Sequence, residues 1–112
     1  MDINFKHKKL AKILNSARET IKEFGEVNGR KIMQRLSQLK VVDSLDQISH
    51  VPPARLHELS GERRGQFAID VKQPCRIIFV PDHDPVPLKD DGGIDLSKVT
   101  KILILAIENA YH

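Results

Sequence analysis

The chain has few of the residues that build disulfide-stapled, zinc-binding or membrane-spanning proteins. Its 112 residues include one cysteine, no tryptophan and 4% aromatic residues. Cys75 cannot form an intramolecular disulfide or a cysteine zinc site, and its apolar strand pattern indicates a buried side chain rather than a nucleophile. No apolar run approaches the roughly 18 residues that span a bilayer, and no signal-peptide apolar segment follows the basic N-terminus. We expect a single domain over residues 1–112 in the cytoplasm.

The sequence also lacks the signatures of cofactor and metal sites. It contains no Walker loop and no Gly-x-Gly-x-x-Gly pattern. His7, His50 and His83 do not form metal-ligand spacings with one another or with the acidic residues. The sequence therefore predicts no metal and no cofactor.

What the sequence does have is clustered positive charge. The net charge is +3, from 18 Lys and Arg against 15 Asp and Glu. Lys8 and Lys9 belong to a basic N-terminal segment, and Arg63 and Arg64 are adjacent. A polyanionic partner would explain such clusters. A solvated helix face and a solvated loop explain them as well.

The N-terminal part of the chain predicts helices. Residues 2–5 fit a short lead-in strand, and apolar residues recur at helical spacing over 6–24, with a break possible at Asn15-Ser16. Gly25 and then Asn28-Gly29 interrupt the helical pattern before a second helix over 30–40. So short a connection predicts an antiparallel helical hairpin.

The C-terminal part predicts strands. Residues 55–59, 66–71 and 75–80 alternate in polarity, and a long loop over 81–98 precedes an apolar strand over 99–107, which we expect in the middle of a sheet. The order of elements predicts an α+β fold, with the N-terminal helical hairpin packed on one face of a small, mostly antiparallel sheet and the other face open.

Two histidines are the candidates for acid–base chemistry. Imidazole titrates near neutrality, so His57 and His112 are suited to move the protons of RNA cleavage. One would take the proton of an attacking 2′-hydroxyl, and the other would protonate the leaving 5′-oxygen. Considered singly, each is better explained without a catalytic role, His57 as a half-exposed strand histidine and His112 as a frayed terminal one.

Cationic and aromatic side chains complete the candidate site. Arg76 lies in the middle of a predicted strand, where a guanidinium suits a phosphate or a salt bridge. Arg63 and Arg64 lie on the predicted loop between the strands over 55–59 and 66–71. Tyr111 precedes His112 and is suited to stack on a base, or to pack at the end of the strand.

The stretch RLHELSGERRGQFAIDV, the following CRIIF and the terminal Tyr-His resemble the HigB killer proteins of bacterial toxin–antitoxin systems, within the RelE/ParE superfamily. The opening FKHKKLAKIL is also similar to that family. The resemblance implies a RelE-like fold and a ribosome-dependent endoribonuclease that cuts messenger RNA. It assigns catalysis to His57, Arg76, Tyr111 and His112. It implies RNA contacts by Arg63, with Arg64, Lys8 and Lys9 as further candidates from the charge pattern.

The resemblance also implies partners. These are the 70S ribosome with its messenger RNA, a helix-turn-helix antitoxin of the HigA type, and operator DNA bound only through the antitoxin complex. The chain departs from the family pattern at Ser60, where lysine is frequent, at Ala110, where an acid precedes Tyr-His, and in the longer loop over 81–98. Two alternatives therefore stay open: a gyrase-directed, non-enzymatic toxin, and a catalytically degraded copy that binds only its antitoxin.

Overall fold

A computed structural model describes residues 1–109 of the chain. Within them a first strand precedes three helices, and four further strands follow. The strands are β1 (Asp2–Phe5), β2 (His57–Glu58), β3 (Phe67–Asp70), β4 (Cys75–Pro81) and β5 (Lys101–Asn109). The helices are α1 (Lys8–Leu14), α2 (Ala17–Phe24) and α3 (Glu26–Val41). Single turns of 3₁₀ helix occur at Leu45–Gln47, Gly61–Arg63 and Leu96–Lys98. The predicted α+β class and the lead-in strand are confirmed.

The first predicted helix is divided at Asn15-Ser16, as its sequence indicated. Ser16 has an extended backbone, and its hydroxyl accepts a hydrogen bond from the backbone N–H of Glu19 at 3.1 Å. This N-cap satisfies one of the amide groups that a new helix leaves without a partner. The cap therefore starts α2 as a separate helix in a new direction.

The predicted boundary at Asn28-Gly29 is wrong. Helix α3 begins at Glu26, directly after Gly25, whose φ of +87° ends α2 in a conformation that favours glycine. Gly29 is buried within α3, and a Cβ there would lie 2.7 Å from the Cα of Ile21. Glycine is required here because the backbones of α2 and α3 approach closely. Residues 1–109 thus contain three helices, and the expected two-helix hairpin is not clearly formed.

The five strands form one mixed sheet in the order β1-β5-β4-β3-β2. The neighbours β2–β3, β3–β4 and β4–β5 are antiparallel, and β1–β5 is parallel. Strand β5 therefore lies inside the sheet with a neighbour on each side, although β4 is the middle strand. Strand β2 is shorter than predicted because Arg55 has a φ of +50°, which cannot continue an extended strand.

The helices cover one face of the sheet, as predicted. The cluster buried between them combines Leu14, Ile32, Leu36 and Leu39 of the helices with Phe67, Ile69, Ile77, Phe79, Ile102 and Ile104 of the strands. We expected the opposite face to be open, and this is wrong at its centre, where Ala68 and Ile78 are 0% and 1% exposed. The side chain of Arg63 extends over this face to reach Glu108 on β5. We call this face of the sheet the outer face.

The segment between β4 and β5 lacks long elements, as predicted, but it is held by specific contacts. Leu88 and Ile94 form an isolated antiparallel bridge, and the backbone N–H of Leu45 donates to the carbonyl of Val99 at 3.0 Å. Ile94 also packs against the core. Within residues 1–109, no helix is long and apolar enough to cross a membrane.

Candidate functional site

His57 begins a row of side chains that crosses the outer face. It pairs with Ala68 on β3, Ala68 pairs with Ile78 on β4, and Ile78 pairs with Ala106 on β5. Directly paired residues of antiparallel strands point to the same face. The imidazole therefore lies on the outer face, away from the helices.

Arg76 lies on the same face, one row further along the strands. It is two residues from Ile78 on β4, so both side chains point the same way, and it pairs with Asp70 on one side and Glu108 on the other. The Cα atoms of Arg76 and His57 are separated across the sheet by two strand spacings of about 4.8 Å each. Along the strands they are separated by one side-chain repeat of about 7 Å. The two side chains therefore lie on the same sheet face, two strands apart.

The ring of His57 is held in one orientation. Its Nδ1 lies 2.8 Å from the backbone carbonyl oxygen of Arg55. A carbonyl oxygen only accepts hydrogen bonds, so Nδ1 must carry the proton. In the neutral imidazole the lone pair is then on Nε2, the atom that a general base uses. The chain thus fixes which ring nitrogen is basic.

Glu108 is held between two arginines. Its carboxylate accepts hydrogen bonds from Arg63 Nη1 at 3.2 Å and Arg63 Nη2 at 2.5 Å, and from Arg76 Nη2 at 3.1 Å. The bond to Arg63 is the main cause that holds the pKa of the Glu108 carboxyl below its usual range, with Arg76 adding to it and burial opposing it. The same contact raises the pKa of Arg63. Two guanidinium groups and one carboxylate leave one net positive charge, in a form suited to a second anion.

Arg76 retains unused hydrogen-bonding capacity. Its side chain is 24% exposed, and within residues 1–109 no acceptor bonds its buried Nε. A buried donor without a partner is unfavourable. The salt-bridge alternative for Arg76 is thus realised through Glu108.

The other predicted RNA contacts occupy different places. Arg64 is exposed and lines a groove with Glu58, which points to the opposite face of β2 from His57. Lys8 and Lys9 are exposed at the start of α1. Lys9 lines a groove with Ala106, the residue at the far end of the row that begins at His57. The structure thus brings Arg63 and Arg76 together at Glu108, places His57 on the same sheet face, places Lys9 beside β5, and separates Arg64.

Tyr111 and His112 lie outside the described residues, as does Ala110. Their predicted roles stay predictions. Strand β5 continues alongside β4 as far as Asn109. Glu108 pairs with Arg76, and Asn109 pairs with Cys75.

No protein-family model matches the chain, and no curated protein matches it. The resemblance to the HigB proteins therefore stays a prediction, carried by the motif between Arg55 and Phe79 and by the terminal Tyr-His.

Two acidic residues of this site were not predicted from the sequence. Glu108 follows the apolar run of β5, next to the last residue of that strand. Asp70 lies in β3 and is only 7% exposed. A lone acid within an apolar strand pattern is a signal for a buried ion pair, because an unpaired carboxylate is costly there. Its partner, however, depends on the pairing of strands that are distant in sequence.

Proposed function

We propose that the chain is a toxin of a bacterial toxin–antitoxin system, with a RelE-like fold related to the HigB killer proteins. In this proposal it is a metal-free endoribonuclease that cuts messenger RNA on the ribosome. The observation that carries the proposal is the position of His57, with Nε2 as its basic atom, on the same sheet face as Arg63 and Arg76.

In the proposed reaction, Nε2 of His57 removes the proton of a ribose 2′-hydroxyl. The 2′-oxygen forms a bond to the adjacent phosphorus, and the bond from phosphorus to the 5′-oxygen breaks. His112 supplies the proton to that leaving oxygen. The products are a 2′,3′-cyclic phosphate and a 5′-hydroxyl, so no water, metal or redox partner is consumed.

Charge develops on the phosphate oxygens as the new bond forms. Arg76 is suited to stabilise it, because a guanidinium fork matches phosphate oxygens and its side chain is 24% exposed. Tyr111 is proposed to stack on a base beside the scissile bond. Arg63 is proposed to hold a flanking phosphate on the outer face, with Lys9 beside β5, Lys8 and Arg64 as outlying contacts.

The proposed partners follow from this role. The ribosome with its messenger RNA is the site of action, which places the protein in the cytoplasm. A helix-turn-helix antitoxin of the HigA type would neutralise it, and operator DNA would be bound only through that complex.

The test is induced expression in a bacterium, followed by primer extension on translated messages. We expect growth arrest with codon-linked cuts that end in a 5′-hydroxyl, and loss of both in His57→Ala and His112→Ala. His50→Ala is the matched control, because His50 Nδ1 also bonds a backbone carbonyl, that of Leu56 at 3.0 Å. Arrest with intact messages, or cuts that persist in His57→Ala, would contradict the proposal.

The Glu108 contacts favour a second candidate, a degraded copy that binds only an antitoxin. A carboxylate already bonds both Arg63 and Arg76, where a phosphate would otherwise bind. Antitoxin binding without any growth defect on expression would support this candidate. A gyrase-directed toxin is the remaining alternative, and inhibition of DNA supercoiling by the purified protein would distinguish it.

A further inference from the structure

The carboxylate of Asp70 is the centre of a hydrogen-bond network beside the candidate site. The residue is 7% exposed. Its oxygens accept from Arg55 Nε at 2.7 Å, from Arg55 Nη2 at 3.1 Å and from Gln73 Nε2 at 2.9 Å. A buried carboxylate needs such partners, and the two-point contact with Arg55 fixes orientation as well as distance.

The backbone of Asp70 holds the same neighbouring segment. Its N–H donates to the carbonyl of Ala54 at 2.7 Å. Its carbonyl accepts from Nε of Arg35, which is 3% exposed on α3, at 2.9 Å. Side chain and backbone therefore tie residues 54–55 to the end of β3 and to the helical layer.

Arg55 needs this support because its backbone is strained. Its φ of +50° is rare and unfavourable for a residue with a side chain. The carbonyl of this residue is also the group that accepts the Nδ1–H of His57. The residue that Asp70 clamps is thus the one that sets the tautomer of the imidazole.

We propose that Asp70 and Arg55 are positioning residues that hold His57 in its Nδ1–H form, with Nε2 free to accept a proton from RNA. Asp70 acts through the Arg55 side chain, and Arg55 acts through its backbone carbonyl. The catalytic value of this arrangement rests on the proposed function, but the tautomer itself does not.

The first test measures the tautomer without any RNA. Protein labelled with ¹⁵N in histidine is examined by long-range ¹H–¹⁵N NMR at about pH 8, above the ordinary imidazole pKa. We expect His57 to be largely Nδ1–H in the wild type, with a substantial Nε2–H population in Asp70→Asn. Gln73→Ala is the matched control, since it removes a bond to the same carboxylate but leaves Arg55 in place, and we expect its spectrum to match the wild type.

Substitutions at Arg55 separate the clamp from the strain. Glycine adopts a φ of +50° freely, so Arg55→Gly keeps the kinked backbone without the clamp, whereas Arg55→Ala loses both. We expect the Nε2–H population to increase from wild type to Arg55→Gly to Arg55→Ala. If one variant does not fold, as judged by its amide spectrum, the other and Asp70→Asn still decide the question. An unchanged Nδ1–H form in the folded variants, or an equal shift in Gln73→Ala, would overturn the proposal.

The second test measures cleavage by purified protein on programmed ribosomes. We expect Asp70→Asn to lower kcat about tenfold, less than full loss of a general base, with little change in KM because Arg63 and Arg76 are untouched. A fall in affinity with unchanged kcat would contradict a positioning role. A wild type that cuts no RNA but shows the expected NMR shifts would refute the proposed function and leave the positioning intact.

Discussion

Arg76 and Glu108 face each other on adjacent strands, with Arg76 Nη2 at 3.1 Å from a carboxylate oxygen of Glu108. Arg63 bonds the same carboxylate from the other side. The best anion-binding groups of the outer face are therefore already engaged by an internal anion. Any phosphate that binds there must compete with Glu108 or share the arginines with it.

Glu108→Gln should strengthen RNA binding. The amide keeps the shape of the side chain but removes the charge that competes for Arg63 and Arg76, so we expect the Kd for a short single-stranded RNA to fall about three- to tenfold, equal to roughly 1 kcal/mol. Fluorescence anisotropy at constant salt measures this. The matched control is Glu62→Gln, which makes the same charge change at an exposed position of the Gly61–Arg63 turn. Equal gains in both variants would show that only net charge matters.

Glu108 should also make stability depend on pH. Its carboxyl has a lowered pKa in the folded protein, chiefly through Arg63, so the folded state binds fewer protons than the unfolded state near the usual glutamate pKa of about 4.3. Stability from this group is present above that range and is lost as the pH falls through the lowered pKa.

Thermal unfolding of wild type and Glu108→Gln across a pH series tests this linkage. We expect the difference in Tm to be largest near neutrality and to shrink as the pH falls below about 4.3. A constant difference over the whole series would mean that the Arg63 and Arg76 contacts do not stabilise the ionised form.

Gly29→Ala should destabilise the protein although alanine is the better helix former. The added Cβ would lie 2.7 Å from the Cα of Ile21, and backbone atoms cannot move aside as a flexible side chain can. We expect a net loss of about 1–2 kcal/mol in the free energy of unfolding, since overpacking outweighs the gain in helix propensity. Urea denaturation measures it. Ser37→Ala at an exposed position of the same helix should change stability by less than about 0.5 kcal/mol.

Ser16→Ala should weaken the start of α2. The Ser16 hydroxyl is the group that accepts from the backbone N–H of Glu19, and loss of such a cap costs about 1 kcal/mol. Ser16→Asp should retain the wild-type stability, because a carboxylate also caps and suits the positive end of the helix dipole. Equal losses in the two variants would show that the hydroxyl contributes through packing and not through capping.

Much of the fold was predictable because it depends on local patterns. The apolar spacing before Phe24, the break at Asn15-Ser16 and the alternation around Phe67 and Ile77 each act over a few residues. The predictions were wrong at positions where a tertiary contact overrides the local sequence pattern. Asn28-Gly29 is typical of a helix end, yet Gly29 is required inside α3 because the backbones of α2 and α3 approach closely there. The sequence pattern predicts a strand at Arg55, yet this residue has a left-handed backbone conformation and its side chain bonds Asp70.

By itself the sequence determined the α+β class, the strands that carry His57 and Arg76, and the types of chemical group available. These follow from periodicity and side-chain chemistry, which are properties of neighbouring residues. Only the tertiary structure decided that the imidazole and the guanidinium share a sheet face, that Glu108 lies between two arginines, and that the Arg55 carbonyl fixes the basic nitrogen of His57. Those relationships depend on strand register, where a shift of one residue reverses the face of every side chain.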